Sequence, residues 1–341
     1  MGEALVHPIA APPEPGQALD LGHGVHWVRL PLPGKLRHIN VWLLEDGEGW
    51  TLIDTGMGVK ECRDAWTGPL AGLLASRPLK RVILTHHHPD HAGLAAWFAE
   101  GHGVPVYMSA EEAGLLRGLL DEDPVPASAR VAAFAADGLV PTDENRVILA
   151  GGAFRRVVSG IPKDLRLLQG GDVLDIGGVR WEAVRLPGHT DGQLAFHAPA
   201  AGLLISGDQV LPRITSNIGV YPERADLDPI ASFVGSFASL AALDPEPLVL
   251  PSHGEVFRGL KVRLKALEEH HAATLAQVVA LLGAPLSAAE LALRLFRPNL
   301  DPLNRMLAVG ESRANLEHLA RSGRARRIEL PGQPRRFERA L

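Results

Sequence analysis

The stretch THHHPDHAG, residues 85–93, constrains this chain more than any other part of its sequence. Residues 86–91 contain four histidines and one aspartate. On an extended segment, side chains two residues apart face the same side, so His86 and His88 are expected to point one way and His87 the other. A divalent ion bound by imidazole and carboxylate needs three or four ligands. So crowded a segment favours two neighbouring metal ions over one, with further ligands supplied from elsewhere in the chain.

Three later stretches offer those further ligands, and each follows a predicted buried strand. RLPGHTDG presents His189, LLISGDQV presents Asp208 and LVLPSHGE presents His253. The first cluster also follows such a strand, RVILT. In α/β folds, functional sites are built where strands open into loops at one edge of the sheet. The four stretches are therefore expected to meet at one site.

Strand and helix patterns alternate without internal repeats, which predicts an α/β fold with two packed sheets and helices outside. GVHWVRLPLP, INVWLLEDG and GWTLIDTG predict strands, EDGEG a hairpin turn and ECRDAWTGPLAGLLA one helix. The proline-rich residues 1–22 are interpreted as an extended arm. Residues 109–168 are less regular, with helical pieces broken by DEDPVP. They are interpreted as a helical insertion, or lid, over one face.

After residue 258 the pattern changes to three helices followed by two short strands around the turn PGQP. Ser287 is the predicted N-cap of the second helix, and the third ends at Gly323. This is the layout of a winged-helix module, predicted over residues 259–341. Its last segment is rich in arginine, so a basic wing could contact phosphates. The favoured alternative is a solvated hairpin that packs on the core or on a second subunit, because Phe337 is its only aromatic residue.

Composition limits the classes of protein that remain. With 341 residues, 46% of them hydrophobic and 21% charged, the chain fits a globular enzyme of one large domain, or of one large and one small domain. A net charge of −5 gives no overall attraction to nucleic acid or membrane. The single cysteine, Cys62, excludes an internal disulfide framework and a cysteine-rich zinc site, and is interpreted as an inert helix residue. No secretory signal or membrane span is predicted, so a cytoplasmic location is expected.

Five motifs, LIDTG, THHHPDH, PGHTDG, SGD and PSHG, occur in an order and spacing that resemble the metallo-β-lactamase superfamily of αββα hydrolases. The resemblance covers roughly residues 25–258. It implies a four-layer αββα sandwich over residues 23–258, followed by a small winged-helix-like domain similar to that of β-lactamase-like endoribonucleases. It also implies two divalent metal ions, of which zinc is favoured and iron and manganese are alternatives.

The resemblance assigns the ligands of both ions. The first ion would be held by His86, His88 and His189. The second would be held by Asp90, His91 and His253. Asp208 would bridge the two ions, and Asp54 of LIDTG would orient a ligand histidine through its other ring nitrogen.

Such a pair of ions holds a hydroxide at neutral pH and polarises the bond that it attacks, while Asp90 is placed for general acid/base work. The favoured reaction is hydrolysis of an ester or thioester of a small acyl compound. The family resemblance links a bridging Asp208 with hydroxyacylglutathione hydrolases, lactonases and ribonuclease Z-like enzymes. A nucleic-acid-processing phosphodiesterase is therefore the main alternative. A lactonase, a weak β-lactamase and a DNA-binding regulator are less favoured.

The segment after Asp208 is predicted to line the pocket entrance. Its candidates for holding a substrate carboxylate or phosphate are Arg213, Ser216, Asn217 and Tyr221. The insertion at 109–168 and the loop at 210–226 are both expected to roof the site. A roofed pocket favours a small acyl substrate over a polynucleotide, and homo-oligomerisation is left open.

Overall fold

The structure is a computed structural model, and it describes residues 4–68, 70–120, 126–149, 151–224 and 227–340. Two β-sheets pack face to face, as the sequence predicted. The first sheet has seven strands that follow one another in chain order: β1 (Ala18–Asp20), β2 (Val25–Pro31), β3 (His38–Asp46), β4 (Gly49–Ile53), β5 (Leu79–Ile83), β6 (Val106–Ser109) and β7 (Leu165–Leu168). Strands β1 to β4 are antiparallel, and β4 to β7 are parallel.

The second sheet has five strands in the spatial order β12-β11-β10-β9-β8. They are β8 (Val173–Ile176), β9 (Val179–Arg185), β10 (Leu194–Ala198), β11 (Leu203–Gly207) and β12 (Leu248–Pro251). Only the β11–β12 pair is parallel. Large buried side chains fill the space between the sheets, including Trp27 and Trp42 from the first sheet and Trp181 and Phe196 from the second. Their burial removes apolar surface from water and holds the two sheets together.

Helices cover the outer face of each sheet, which completes the four layers. The helices on the first sheet are α1 (Lys60–Thr67), α2 (Ala71–Ser76), α3 (Pro89–Ala92), α4 (Ala95–His102) and α5 (Ala110–Leu120). The prediction of one helix over ECRDAWTGPLAGLLA was wrong, because α1 ends where the Gly68 amide bonds to the Asp64 carbonyl and α2 starts afresh at Ala71. Glycine and proline in succession disfavour a continuous helix here.

The predicted insertion at 109–168 is helical only as far as Val157. After α5 it contains α6 (Ala127–Ala136), α7 (Asp143–Leu149) and α8 (Gly152–Val157). Ser109 ends β6, and β7 pairs with β6 in parallel, so both ends of the predicted insertion belong to the first sheet. The four residues of β7 are too few to show a periodic pattern. Of the predicted DEDPVP break, only Pro126 lies within the described residues.

The N-terminal arm is also partly ordered into the fold. Strand β1 pairs with β2, with Ala18 opposite Val28, so the end of residues 1–22 is an edge strand and not a free extension. Further upstream, Val6 forms a bridge with Arg258. The backbone groups at the edge of β2 explain the pairing, since an uncovered edge offers unpaired N–H and C=O groups.

Beyond β11, α9 (Pro229–Gly235) and α10 (Phe237–Ala241) lie on the second sheet, and α11 (Leu260–Leu281), α12 (Ala288–Leu295) and α13 (Pro302–Arg321) follow. The hairpin β13 (Ala325–Ile328) and β14 (Arg336–Arg339) completes the predicted order of three helices and two strands. Ser287 caps α12 in a capping box with Glu290. One hydrophobic cluster runs from α9 to β14, so the C-terminal helices share a core with the outer layer of the sandwich. Within the described residues, no helix has both the length and the apolar character needed to cross a membrane.

Candidate metal centre

The seven predicted ligands converge at one edge of the sandwich. His86 and His88 follow β5, Asp90 and His91 lie in α3, and the others follow β9, β11 and β12. The parallel pairing of β11 with β12 brings the loops after these two strands to the same edge. The site is therefore assembled from strand ends far apart in the sequence, as the α/β pattern predicted.

His86, His88 and His189 form the first group of candidate ligands, with one ligand atom of each within 4.8 Å of the others. The His88 Nδ1 atom lies 3.0 Å from the Nε2 atom of His86 and 3.0 Å from that of His189. His86 and His88 therefore face the same side of the chain. Three imidazole nitrogens at this spacing suit one divalent ion.

Asp90, His91 and His253 form the second group, again with ligand atoms within 4.8 Å of one another. The Asp90 Oδ2 atom lies 3.3 Å from His253 Nε2 and 3.8 Å from His91 Nε2. The two imidazoles thus flank one carboxylate, which gives a mixed nitrogen and oxygen donor set.

Asp208 lies between the two groups. Its Oδ2 atom is 3.5 Å from His189 Nε2, in the first group. Its Oδ1 atom is 3.5 Å from both His91 Nε2 and His253 Nε2, in the second group. One carboxylate that presents a different oxygen to each group has the arrangement that a bridging ligand requires.

Two buried atoms of this site test whether a metal fits it. His91 Nε2 and Asp208 Oδ1 are buried and have no hydrogen-bond partner among the described residues. An unmade hydrogen bond at a buried polar atom costs about 1–3 kcal/mol, so such atoms normally have a partner. A divalent cation would satisfy both, and imidazole with carboxylate is a donor set that zinc, iron and manganese all accept. The residues therefore fit a metal centre, and their donor set suits more than one metal.

Burial and neighbouring charges shift the pKa values of the histidines in different directions. Burial and the neighbouring histidines hold the pKa of His86 and His88 well below the usual value, so both imidazoles are neutral. Burial would lower the pKa of His253 too, but Asp208 and Asp90 raise it to about 10. A metal ion must displace the proton from such a histidine, so we expect binding to weaken as the pH falls.

The pKa values of the two carboxylates are lowered by the neighbouring histidines. Burial would raise the pKa of Asp90, but His91 and His253 lower it to about 2. The same two histidines hold the pKa of Asp208 well below its usual value despite its burial. Both carboxylates are therefore ionised at neutral pH and give the centre the negative charge that attracts a cation.

Asp54 orients His91 from outside the candidate ligand set. Its Oδ2 atom accepts a hydrogen bond of 2.8 Å from His91 Nδ1, and its two oxygens accept bonds of 2.8 and 2.9 Å from Thr85 N and Oγ1. This leaves His91 Nε2 free to face Asp208. Asp54 has a left-handed backbone, with φ of 60°. Aspartate tolerates this conformation better than most residues, and three hydrogen bonds hold it there.

Backbone carbonyls orient two further candidate ligands. His189 Nδ1 donates to the carbonyl of Asn217 at 2.8 Å, and His253 Nδ1 donates to that of His38 at 2.9 Å. Each bond fixes the proton on Nδ1 and leaves Nε2 for the centre. The His38 ring also takes part, because its Nε2 atom accepts a hydrogen bond of 3.1 Å from the Gly254 backbone N–H. His38 was not singled out from the sequence, because it lacks the spacing of a metal ligand.

His87 points away from the centre, as its alternating position predicted. Its Nδ1 atom donates to Glu112 Oε2 at 2.5 Å. The fully buried Glu112 carboxylate also accepts from the backbone N–H of His87 and of Gly192, so it ties the first histidine loop to the loop after His189. Sequence reasoning missed Glu112, although its spacing of four from Leu116 placed it on the buried face of α5.

The predicted substrate residues are mostly engaged inside the protein. The Ser216 hydroxyl donates to the carbonyl of Asp208, and Tyr221 OH donates to Asn217 Oδ1 at 2.5 Å. The Asn217 amide donates to Glu311 Oε2 at 3.1 Å. Arg213 is largely exposed and lies 3.4 Å from Glu255. These contacts fold the loop after Asp208, and a contact of the four residues with substrate stays a prediction.

Several arginines of the wing form ion pairs with carboxylates of the protein itself. Arg335 pairs with Asp137 at 2.8 Å and Arg336 with Glu290 at 2.7 Å. The ring of Phe337 is fully buried in the core, so it offers no surface on which a base could stack.

A cavity of about 640 Å³ adjoins the loop that carries His189. Its walls come from α5, α6, α9, the end of β9 and two loops: Glu111, Gly114, Leu115, Gly118, Leu119, Arg130, Arg185, Pro187, Asp191, Glu223 and Ser232. Asp191 stands two residues after His189, and Glu111 precedes Glu112. The helical segment and the loop after Asp208 both help to line this cavity, whereas none of the seven candidate ligands does, so their roofing of the metal centre stays a prediction.

Comparison with known proteins identifies two matching family profiles. The Metallo-beta-lactamase superfamily profile matches residues 34–253, and the profile of the Metallo-beta-lactamase-like C-terminal domain matches residues 275–340. The solved beta-lactamase domain protein from Burkholderia ambifaria is 35% identical, with a TM-score of 0.89 over 98% of each chain.

Two curated relatives carry names that describe a reaction. The probable metallo-hydrolase YqjP of Bacillus subtilis is 30% identical over 244 residues, which cover 67% of this chain and 70% of that protein. The acyl-coenzyme A thioesterase MBLAC2 of Gallus gallus is 32% identical over 196 residues, which cover 56% of this chain and 64% of that protein.

Proposed function

This chain belongs to the metallo-beta-lactamase superfamily and is a metal-dependent hydrolase, and we propose that it hydrolyses thioesters of small acyl compounds. The observation that carries the proposal is the position of Asp208, which presents one oxygen to each histidine group. A thioesterase among the relatives, 32% identical, supports the choice of bond.

In this proposal two divalent ions are held by the residues that converge at the sheet edge. The first is held by His86, His88 and His189. The second is held by Asp90, His91 and His253. Asp208 is a ligand of both ions. When bound, the ions supply Lewis acidity, which lowers the pKa of water towards roughly 7 and polarises the carbonyl group of the substrate.

The protonation states of the site favour a thioester over an oxygen ester. Asp90 and Asp208 are held in the ionised form at neutral pH, so the proton that either could pass to a leaving group is one first taken from the attacking water. A thiol has a pKa of about 8.5 and leaves readily as the thiolate, whereas an alkoxide needs a proton. Asp90 is partly exposed at the centre and is placed to accept a proton from attacking water.

The cavity beside the loop that carries His189 would hold the acyl part of the substrate. Leu115, Leu119 and Pro187 give it apolar walls, and the two glycines of α5, Gly114 and Gly118, leave space along the helix. Its volume of about 640 Å³ lies within the range of roughly 300–1,000 Å³ that small-ligand pockets occupy. A small acyl group therefore fits this site better than a polynucleotide, which needs an open groove.

A substrate panel tests the proposal. The purified chain, supplied with metal, is assayed against acyl thioesters, the matching oxygen esters, lactones, a β-lactam and single-stranded RNA. We expect the highest kcat/KM for a thioester, and elemental analysis should give two metal ions per chain. Asp208→Ala should lose metal and turnover together. A metal content that stays at one, or RNA cleavage that exceeds thioester hydrolysis, would overturn the proposal.

A further inference from the structure

A second cavity, of about 470 Å³, lies where the loop after Asp208 meets α11. The residues that line it are Arg213, Ile214, Thr215, Arg263, Ala266 and His270. Arg263, Ala266 and His270 are spaced by three and four residues, so they share one face of α11. Two guanidinium groups and an imidazole therefore border one space, and no carboxylate lines it among the described residues.

Arg263 is a partly buried cation that pairs with no carboxylate in the described part of the chain. Its Nε atom donates to the Leu211 carbonyl at 2.6 Å and its NH2 group donates to the Ile214 carbonyl at 2.8 Å. Among the described residues, no carboxylate lies within 4.0 Å of it. Burial lowers the pKa of Arg263, which means that the cation has lost hydration without an opposing charge. An anion in the cavity would stabilise the Arg263 cation in place of the water lost on burial. The guanidinium has further N–H groups that can donate to such an anion.

Arg213 can turn towards the same space at little cost. Its side chain is 73% exposed, and its described ionic partner is Glu255, at 3.4 Å. An exposed ion pair of this kind contributes little to stability, so an incoming anion competes with it easily. His270 is also exposed and adds the N–H donor of its imidazole ring.

We propose that this cavity binds the phosphate groups of the thiol carrier from which the acyl group is cleaved, as in an acyl-coenzyme A. The inference rests on the proposed thioesterase function and adds to it the class of leaving group. Arg213 is five residues from Asp208, so the Cα atoms of these two residues are at most roughly 18 Å apart. Several cationic donors around one space suit phosphate groups, whereas a single carboxylate is satisfied by one arginine.

Paired substrates test the proposal in the full-length, metal-loaded protein. The same acyl group is presented as its coenzyme A thioester and as its pantetheine thioester, which lacks the phosphate groups. We expect the wild-type KM to be lower for the coenzyme A thioester. Arg213→Gln should raise that KM by about 10- to 150-fold, the loss expected for one charge-assisted contact. Lys265→Gln is the matched control, because it removes one positive charge from the same helix outside the cavity.

Binding gives a readout that does not depend on turnover. Adenosine 3′,5′-bisphosphate, a fragment of coenzyme A without its thiol, is titrated by calorimetry into the wild type and both variants. Arg213→Gln should weaken its binding, and Lys265→Gln should not. Thermal melting confirms that each variant is folded.

The outcomes separate this inference from the proposed function. Equal KM values for the two thioesters, unchanged in Arg213→Gln, would overturn the phosphate site and leave the thioesterase proposal intact. A larger effect of Arg213→Gln on an acyl-glutathione than on the coenzyme A thioester would assign a carboxylate to the cavity and would also overturn it. Absence of all thioester hydrolysis, with loss of bisphosphate binding in Arg213→Gln, would support the anion site and refute the proposed function.

Discussion

Replacing Asp54 by asparagine should weaken one metal site without emptying the other. The carboxylate accepts three hydrogen bonds, from His91 Nδ1, Thr85 N and Thr85 Oγ1, all between 2.8 and 2.9 Å. An amide of the same size has one accepting oxygen and one donating NH2 group. If the NH2 group faces His91, the imidazole proton moves to Nε2, the nitrogen that faces Asp208. If the oxygen faces His91, a bond to Thr85 is lost.

The expected magnitude follows from this change in His91. A carboxylate behind a ligand histidine fixes its tautomer and raises its basicity, and its loss typically costs 10- to 100-fold in metal affinity. This corresponds to about 1.4–2.7 kcal/mol. The loss should fall mainly on the second site, with Asp90, His91 and His253, because Asp54 bonds directly to His91. It reaches the first group only through Thr85 Oγ1, which lies 3.0 Å from His86 Nδ1, among the described hydrogen bonds.

Competition between the metal-free protein and a chromophoric chelator measures both affinities. The wild type should bind two ions, and Asp54→Asn should bind one with similar affinity and the other 10- to 100-fold more weakly. Asp64→Asn is the control, because Asp64 is exposed and pairs only with Lys60 in the described structure. Unchanged affinity at both sites in a folded Asp54→Asn protein would refute the orienting role of this carboxylate.

Other parts of the structure lead to further predictions. Replacing five arginines of the wing by serine should lower Tm and leave the kcat/KM for small thioesters unchanged. If the wild type binds RNA with a salt-dependent affinity that this variant has lost, the structural role of the wing is contradicted. The arginines are Arg324, Arg326, Arg327, Arg335 and Arg336. Burial raises the pKa of Glu311 to about 7, so the folded state holds a proton that the unfolded state releases near pH 4.5. Stability should therefore fall as the pH rises between these values, and Glu311→Gln should flatten Tm against pH in that window. Burial raises the pKa of Cys62 to about 12, so a thiol reagent at pH 8 should label it only as fast as the protein unfolds. A Cβ at Gly114 would meet nothing within 4 Å, so Gly114→Leu should fill the larger cavity and raise KM for long acyl chains more than for short ones. Gly72→Leu, on an equally open helix surface away from that cavity, should change neither KM.

Local patterns determined much of the fold and the candidate site. The strand that precedes each predicted ligand was readable because a run of apolar residues and its end are local features. Alternation along an extended segment placed His86 and His88 on one side and His87 on the other, and the structure has the same arrangement. Ser287 showed the start of α12, because a serine with glutamate three residues later satisfies the first turn of a helix.

The tertiary structure decided how polar groups distant in the sequence are paired. The side chains of Asn217 and Tyr221 bond to each other, and Asn217 reaches Glu311 on α13. No local pattern predicted these partners, and contact of the two residues with substrate stays a prediction. Glu112 ties two loops that are about a hundred residues apart. Arg263 and Arg213 line one cavity because α11 packs against the loop after Asp208. A sequence shows which donors, acceptors and charges exist. Their partners depend on chain packing, because burial removes water as the alternative partner and the nearest polar group must take its place.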